Sequence, residues 1–290
     1  MPELPEVETI RRDLAGVVLN KKITDLQIIK PRVLKNHSKQ FKKNLIGNQI
    51  TAVSRRGKML ILKLKNPPKF LLIHLKMTGQ LIYESKQKLF GGGHSQSGFD
   101  LKQKLPSKHT RVIFCFQSGA KMFFNDIRLF GWLRVVDEAE KNQIIKTSFG
   151  LEPFSAGFTL KNFKNIFKTK KTRVKNILLN QKLIAGIGNI YVDEICWLAK
   201  IKPTRRANQL TNSEIKRLFR AVRPVLKKAI EHRGTTFRDY RDAGGRMGGF
   251  SKHLNIYGHE GENCRRNDQG IIKKTKIAGR GTRWCPVCQK

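Results

Sequence analysis

The hydrophobic period of this chain switches from two to helical near residue 160, and that switch limits the folds open to it. Between Ile23 and about Val136, apolar residues alternate or run in β-branched blocks, as in ITAVSRRGKMLILKL, KFLLIHLKMTGQLIY and TRVIFCFQSGAKMFFND. A period of two places alternate side chains on one buried face, and Ser118-Gly119 supplies a hairpin turn, so this half predicts an antiparallel sandwich or barrel. From about Leu160 the period becomes helical. VKNILLNQKLIAGIGNIYVDEICWLAKI predicts two apolar helices separated by Ala185-Gly186-Ile187-Gly188, and NSEIKRLFRAVRPVLKKAIEHR a third, capped by Asn212 or Ser213. Ahead of the strands, Val7, Ile10, Leu14 and Val17 follow Pro5 at helical spacing. The fold class is therefore α+β. The stretch from Glu84 to Lys108, with its lysines and Gly91-Gly92-Gly93, is expected to be a mobile basic loop.

With 39% hydrophobic residues among 290, the chain can bury real cores, yet it carries 59 Lys+Arg against 21 Asp+Glu, a formal charge of +38. Like charges oppose compaction, so the surplus implies a polyanionic partner, with nucleic acid the leading one. No apolar run reaches the roughly 18 residues of a membrane span, and the acidic N-terminus lacks a basic leader, so a cytosolic protein is expected. Three of the five cysteines, Cys264, Cys285 and Cys288, fall in the last 27 residues. That clustering points to a metal site in a reducing compartment rather than a disulfide framework; Cys115 and Cys196 sit in apolar patterns and are expected to be buried thiols.

Against this basic background the opening MPELPEVETI is acidic. Glu6 and Glu8 suit the first turn of a helix, where the dipole favours carboxylates. A second consequence is chemical. Met1 precedes a small residue, and its removal leaves Pro2 as a free secondary amine, a group that titrates near ~8 and retains a neutral, nucleophilic fraction at physiological pH. Such an amine attacks a sugar C1′ or an aldehyde, while an adjacent carboxyl such as Glu3 or Glu6 moves protons as bonds break.

MPELPEVETIRRDL resembles the N-terminus of the bacterial formamidopyrimidine-DNA glycosylases, a family that also holds endonuclease VIII; Leu4 resembles the formamidopyrimidine branch. The similarity extends along most of the chain. RRGKML resembles the segment bearing the family lysine, here Lys58; HLKMTGQL the void-filling methionine, here Met77; NDIRLFGW the wedge, here Arg128 and Phe130. KNILLNQKLIAGIGNIYVDE is similar to the helix-two-turn-helix, with Lys175, Glu194 and the phosphate-binding Asn189, and IAGRGTRWCPVCQ resembles the zinc finger with its phosphate-binding Arg280.

The resemblance implies an N-terminal catalytic β-sandwich with flanking helices over 1–136, a linker over 137–155, a helix-two-turn-helix domain with a lesion-recognition loop over 156–250, and a zinc-finger-like β-hairpin over 251–290. Pro2, Glu3, Glu6 and Lys58 would be catalytic, and Met77, Arg128, Phe130, Lys175, Asn189 and Arg280 would bind DNA. The implied protein is a monomer acting in the bacterial cytoplasm, with the nucleoid, on double-stranded DNA that contains damaged bases or abasic sites. Periodicity alone makes Met77 and Phe130 strand core. RGTTFRDYRDAGGRMGGF, with Gly244, Gly245, Gly248 and Gly249, resembles the recognition loop; a plain linker is the alternative.

Two departures stand out. Cys264-Arg265-Arg266 is followed by Asn267 where the finger would have its second cysteine, so one Zn2+ would be held by Cys264, Cys285 and Cys288 with Asp268 as fourth ligand and His259 as a weaker candidate. A metal-free hairpin is the alternative. Asn180 stands where an aspartate is common. An oxidised-pyrimidine enzyme of the endonuclease VIII type and a non-catalytic damaged-DNA-binding protein are the rival functions.

Overall fold

The computed structural model describes residues 1–93, 104–235 and 249–290. Two compact units form, Met1–Ile145 with His232–Ser251, and Lys146–Glu231 with Lys252–Lys290. Residues 232–235 and 249–250, grouped in the sequence with the helical domain, fall in the N-terminal unit.

That unit begins with α1 (Leu4–Val18) and α2 (Ser38–Leu45). Its strands are β1 (Ile23–Ile28), β2 (Ile50–Arg56), β3 (Met59–Leu64), β4 (Phe70–His74), β5 (Gly79–Glu84), β6 (Leu89–Gly93), β7 (Thr110–Phe116), β8 (Lys121–Asp126) and β9 (Trp132–Val136). They make a five-stranded sheet, β1-β7-β8-β5-β6, and a four-stranded sheet, β2-β3-β4-β9, with all pairings antiparallel. One core lies between them. Leu60, Leu62, Leu71 and Ile73 of the smaller sheet share it with Val112, Phe114, Met122 and Phe124 of the larger, and Val7, Ile10 and Leu14 of α1 complete it. The Ser118-Gly119 turn forms as expected, Gly119 at φ +76°.

The glycine run is a correction. Gly91, Gly92 and Gly93 pair with Ile82, Leu81 and Gln80 as part of β6 instead of lying in a loop. The reason is packing: a Cβ on Gly92 would lie 2.4 Å from Ile10 Cγ1, so α1 crosses this strand only where the side chain is missing. Residues 94–103 of the expected basic loop lie outside the described residues.

Helix α3 (Glu138–Ser148) occupies most of the segment expected as linker. The second unit contains α4 (Leu160–Lys168), α5 (Val174–Leu179), α6 (Asn189–Leu198) and α7 (Asn212–Glu231), then the hairpin β10 (Lys273–Ile277) and β11 (Arg280–Trp284). Between α5 and α6 the connection is longer than the four residues expected. Gln181 holds it, its side chain donating to the Leu179 and Ile187 carbonyls and accepting from Gly186 N–H at 2.8 to 2.9 Å. Asn180 caps α5, and its side-chain oxygen accepts from Lys182 N–H at 3.0 Å, a role aspartate would fill equally. The cap of α7 is Thr211, one residue before those expected: its hydroxyl accepts from Glu214 N–H, while Glu214 accepts from Thr211 N–H.

Candidate active site and nucleic-acid interface

Pro5 in the first turn starts α1 just after the chain's first residues, burying Pro2 and leaving Glu3 only 3% exposed. Glu6 reaches back to accept the Glu3 N–H at 2.8 Å through Oε2. Its Oε1 accepts from Thr235 N–H at 2.8 Å and from the Thr235 hydroxyl at 3.1 Å, so one carboxylate spans both oxygens between the N-terminus and the segment that leads into the expected recognition loop. A Cβ on Gly234 (φ +83°) would lie 2.7 Å from Glu6 Oε1, which explains the glycine. Burial holds the Met1 amine below its ordinary pKa; Glu3 and Glu6 oppose this, and Lys58 reinforces it. Pro2 follows it in the same buried segment.

Lys58, buried after Gly57 (φ +54°) in the β2–β3 turn, shares this environment. The register between helix and turn is set by Glu8, whose carboxylate takes Arg55 Nε at 2.8 Å, Arg12 Nε at 2.8 Å and Arg11 Nη2 at 2.8 Å. Burial works against that carboxylate, and the three guanidinium groups outweigh it, keeping it ionised below the usual carboxylate range. His74, at the end of β4, is pushed down to about 3 by burial and by Lys76 and Lys58, so it stays neutral.

Met77 and Phe130 are 40% and 49% exposed, which rules out the strand-core reading of both. Each stands on a connection between the two sheets, Met77 between β4 and β5, Phe130 between β8 and β9. Arg128 joins them: its guanidinium lies 4.5 Å from the Phe130 ring centroid and donates to Met77 Sδ at 3.4 Å. An apolar pair carrying a cation at an exposed tip suits insertion into a base stack. Of the expected recognition loop, residues 236–248, including Gly244, Gly245 and Gly248, lie outside the described residues.

In the second unit, Asn189 opens α6 and Arg280 opens β11. The hairpin turn Ala278-Gly279 has both residues at positive φ, +46° and +74°, and leaves Arg280 exposed. Asn189 Nδ2 donates to the Gly281 carbonyl at 3.1 Å, which brings the helix N-terminus and the arginine hairpin together. Among the described residues, Asn189 Oδ1 has no hydrogen-bond partner. Lys175, expected to bind DNA, is placed otherwise. It is 0% exposed, and its Nζ donates to Asp193 Oδ1 at 2.7 Å and to the Gly281 carbonyl at 3.1 Å. Burial pushes the Asp193 carboxyl up to about 6 and the Lys175 ammonium down, each opposed by the attraction of the other. Asp193 Oδ2 also accepts from Arg283 N–H at 3.0 Å, so the buried pair ties α5, α6 and β11 together from inside. Glu194 is likewise internal, accepting from the N–H groups of Asn255, Ile256 and Tyr257 at 2.9 to 3.0 Å.

Cys264, Asp268, Cys285 and Cys288 converge, with one ligand atom from each all within 4.8 Å of one another. His259 is engaged by Glu262 at 2.8 Å and is not in that group. The residues fit a tetrahedral S3O metal centre. A Cβ on Gly270 would meet Cys285 Sγ at 2.4 Å, and Gly270 N–H orients Asp268 Oδ1 at 3.0 Å, so the loop is shaped around the donors. Burial pushes the Cys285 thiol up and the Cys288 thiol up to about 12, Arg266 opposing at Cys288; packed thiols lose their protons here when a cation replaces them.

Comparison with known proteins accords with this geometry. The model of the formamidopyrimidine-DNA glycosylase N-terminal domain matches residues 1–133, and that of the family's H2TH domain matches residues 149–241. The chain belongs to the formamidopyrimidine-DNA glycosylase family. Among its curated relatives, formamidopyrimidine-DNA glycosylase of Pelotomaculum thermopropionicum is 40% identical over 100% of this chain and 99% of the relative, and that of Bacillus cereus is 36% identical over 100% and 99%. Among solved structures, the Lactococcus lactis enzyme non-covalently bound to DNA with an abasic site superposes with a TM-score of 0.85 at 34% identity, covering 99% of each chain. A mutant of that enzyme bound to DNA containing a formamidopyrimidine superposes with a TM-score of 0.87 at 35% identity, covering all of both.

Within this member of the formamidopyrimidine-DNA glycosylase family, the residues that sequence reasoning missed are those that act from inside. Asp193, Thr78 and Asp126 are each 0 to 2% exposed. Thr78 and Asp126 lie inside the quoted motifs HLKMTGQL and NDIRLFGW, one and two residues from Met77 and Arg128. Their place beside Met77 and Arg128 is visible in the sequence, and their burial is not.

Proposed function

We propose that the chain is a bifunctional DNA glycosylase and abasic-site lyase that removes oxidised purines, such as 8-oxoguanine and formamidopyrimidines, from duplex DNA. The observation that carries this reading is the buried N-terminal segment with Glu3, Glu6 and the Lys58 charge around the amine, in a chain of this family. With Met1 removed, the Pro2 nitrogen forms a bond to C1′ of the extruded nucleotide as the bond to the damaged base breaks. Glu3 delivers a proton as the sugar ring opens, and Glu6 orients the amine. The resulting iminium acidifies the adjacent C–H, so the strand breaks by elimination first on the 3′ and then on the 5′ side of the sugar.

Extruding a nucleotide costs a few kcal/mol, and Met77, Arg128 and Phe130 would fill the gap, the guanidinium bonding the orphaned partner base. Lys58, Asn189 and Arg280 would hold phosphates, which supplies position and not sequence reading. Asn189 is the first residue of α6, where free backbone N–H groups favour an anion. Cys264, Asp268, Cys285 and Cys288 would hold one zinc ion; when bound it supplies rigidity to the Arg280 hairpin and takes no part in the chemistry. Among the described residues no helix is long and apolar enough to cross a membrane.

The test is parallel single-turnover excision from duplexes carrying 8-oxoguanine and an oxidised pyrimidine, with metal analysis of the same sample. Faster release of the purine and one zinc per chain are expected. Faster release of the pyrimidine, or release of neither base, would overturn the assignment.

A further inference from the structure

Met77, Arg128 and Phe130 stand on connections that the topology makes neighbours. Strands β5 and β8 are paired in the larger sheet, Gly79 opposite Asp126, and β4 and β9 are paired in the smaller, His74 opposite Trp132. Both connections therefore cross from one sheet to the other side by side, at the same end of the sandwich. Where they pass, a single buried node ties them together. The Asp126 carboxylate accepts from the Thr78 hydroxyl and from Arg128 N–H (3.2 Å) through Oδ1, and from Gly131 N–H (2.6 Å) through Oδ2. The Thr78 oxygen also accepts from Arg128 N–H at 3.1 Å. Asp126 is 1% exposed and Thr78 2%.

The segments need such a tie. Lys76 and Leu129 sit at φ +50° and +57°, left-handed positions that non-glycine residues hold only when their surroundings impose them. There is also no slack: a Cβ on Gly79 would lie 2.5 Å from the Leu75 carbonyl oxygen, and one on Gly131 2.8 Å from the Phe124 ring.

We infer that Thr78 and Asp126 are positioning residues for lesion search: their hydrogen bonds lock the Met77 and Arg128–Phe130 tips into one rigid wedge, so that force against the base stack displaces the base and not the loops. The inference rests on the glycosylase reading above. Neither residue touches the nucleotide. Their contribution therefore scales with the work of opening the duplex, and a site with no base to displace should hardly need it.

Thr78→Val removes the hydroxyl at nearly constant shape; Thr78→Ser restores it. On a fully paired duplex containing an oxidised purine, Thr78→Val is expected to slow single-turnover base release about 10-fold, the scale of one buried hydrogen bond. Cleavage of the same duplex with a preformed abasic site should change less than about 2-fold, and Thr78→Ser should behave as the unsubstituted chain. Asp126→Asn, which turns one acceptor into a donor facing N–H groups, should show the same selectivity and serves if Thr78→Val does not fold. Equal slowing on both substrates, or slowing on neither, overturns the inference and leaves the glycosylase reading intact. Failure of the unsubstituted chain to release any base would remove that reading and the inference with it.

Discussion

Replacing Glu3 with glutamine is expected to cut excision of an oxidised purine by roughly 10²- to 10⁴-fold, the usual worth of a positioned general acid, while binding to a duplex with a non-cleavable abasic analogue stays within about 2-fold. The side chain is 3% exposed at the start of α1, so an isosteric amide keeps its packing. The Glu3 backbone N–H still donates to Glu6, which leaves the geometry of the amine unchanged. Glutamine can accept and donate hydrogen bonds but cannot yield a proton to the opening sugar ring. Rates are read under single-turnover conditions and binding by anisotropy. An excision rate within threefold of the unsubstituted chain would show that another group supplies the proton.

The second large effect is structural. Lys175→Met is expected to destabilise the protein by about 3–5 kcal/mol, because it leaves Asp193 as a fully buried charge without its partner. The Lys175–Asp193 pair is completely buried, and the lysine also holds the Gly281 carbonyl beside Arg280. Urea unfolding measures the loss, and its pH dependence identifies the cause. Burial already raises Asp193 to about 6 with lysine present. Without it the folded-state value rises further above the unfolded one, so the native state binds more protons than the unfolded chain between the two values. Stability of the variant must therefore fall as pH rises through that window and be greater at pH 5 than at pH 8. Replacing both residues by apolar ones should return most of the loss. A single variant as stable as the parent at pH 8 would mean the pair contributes nothing, and Lys175 would again be open to a role at the DNA.

That lysine marks where sequence reading stops. Period and turn residues made the sandwich and the helical half legible, because each depends on local pattern: Gly119 sits at the turn its neighbours predict, and Val7, Ile10 and Leu14 face the core as spaced. The chemistry of donors made Asp268 legible as the fourth member of the thiol cluster even though the usual cysteine is missing. A basic residue in a basic chain gives no such signal. Lys175 inside and Arg280 outside look alike in sequence, and only packing separates them. The strand Leu89–Gly93 was hidden for a similar reason, since glycine normally argues against a strand and is required here by the passage of Ile10. Thr78 and Asp126 were overlooked because they act on neighbouring residues and touch no ligand.

Borohydride reduction of the protein on duplex DNA with an abasic site, followed by peptide mass spectrometry, tests the central assignment most directly. The account predicts one covalent adduct, on the nitrogen of Pro2 in a peptide lacking Met1. An adduct on a lysine, or strand cleavage with nothing trapped, would contradict it.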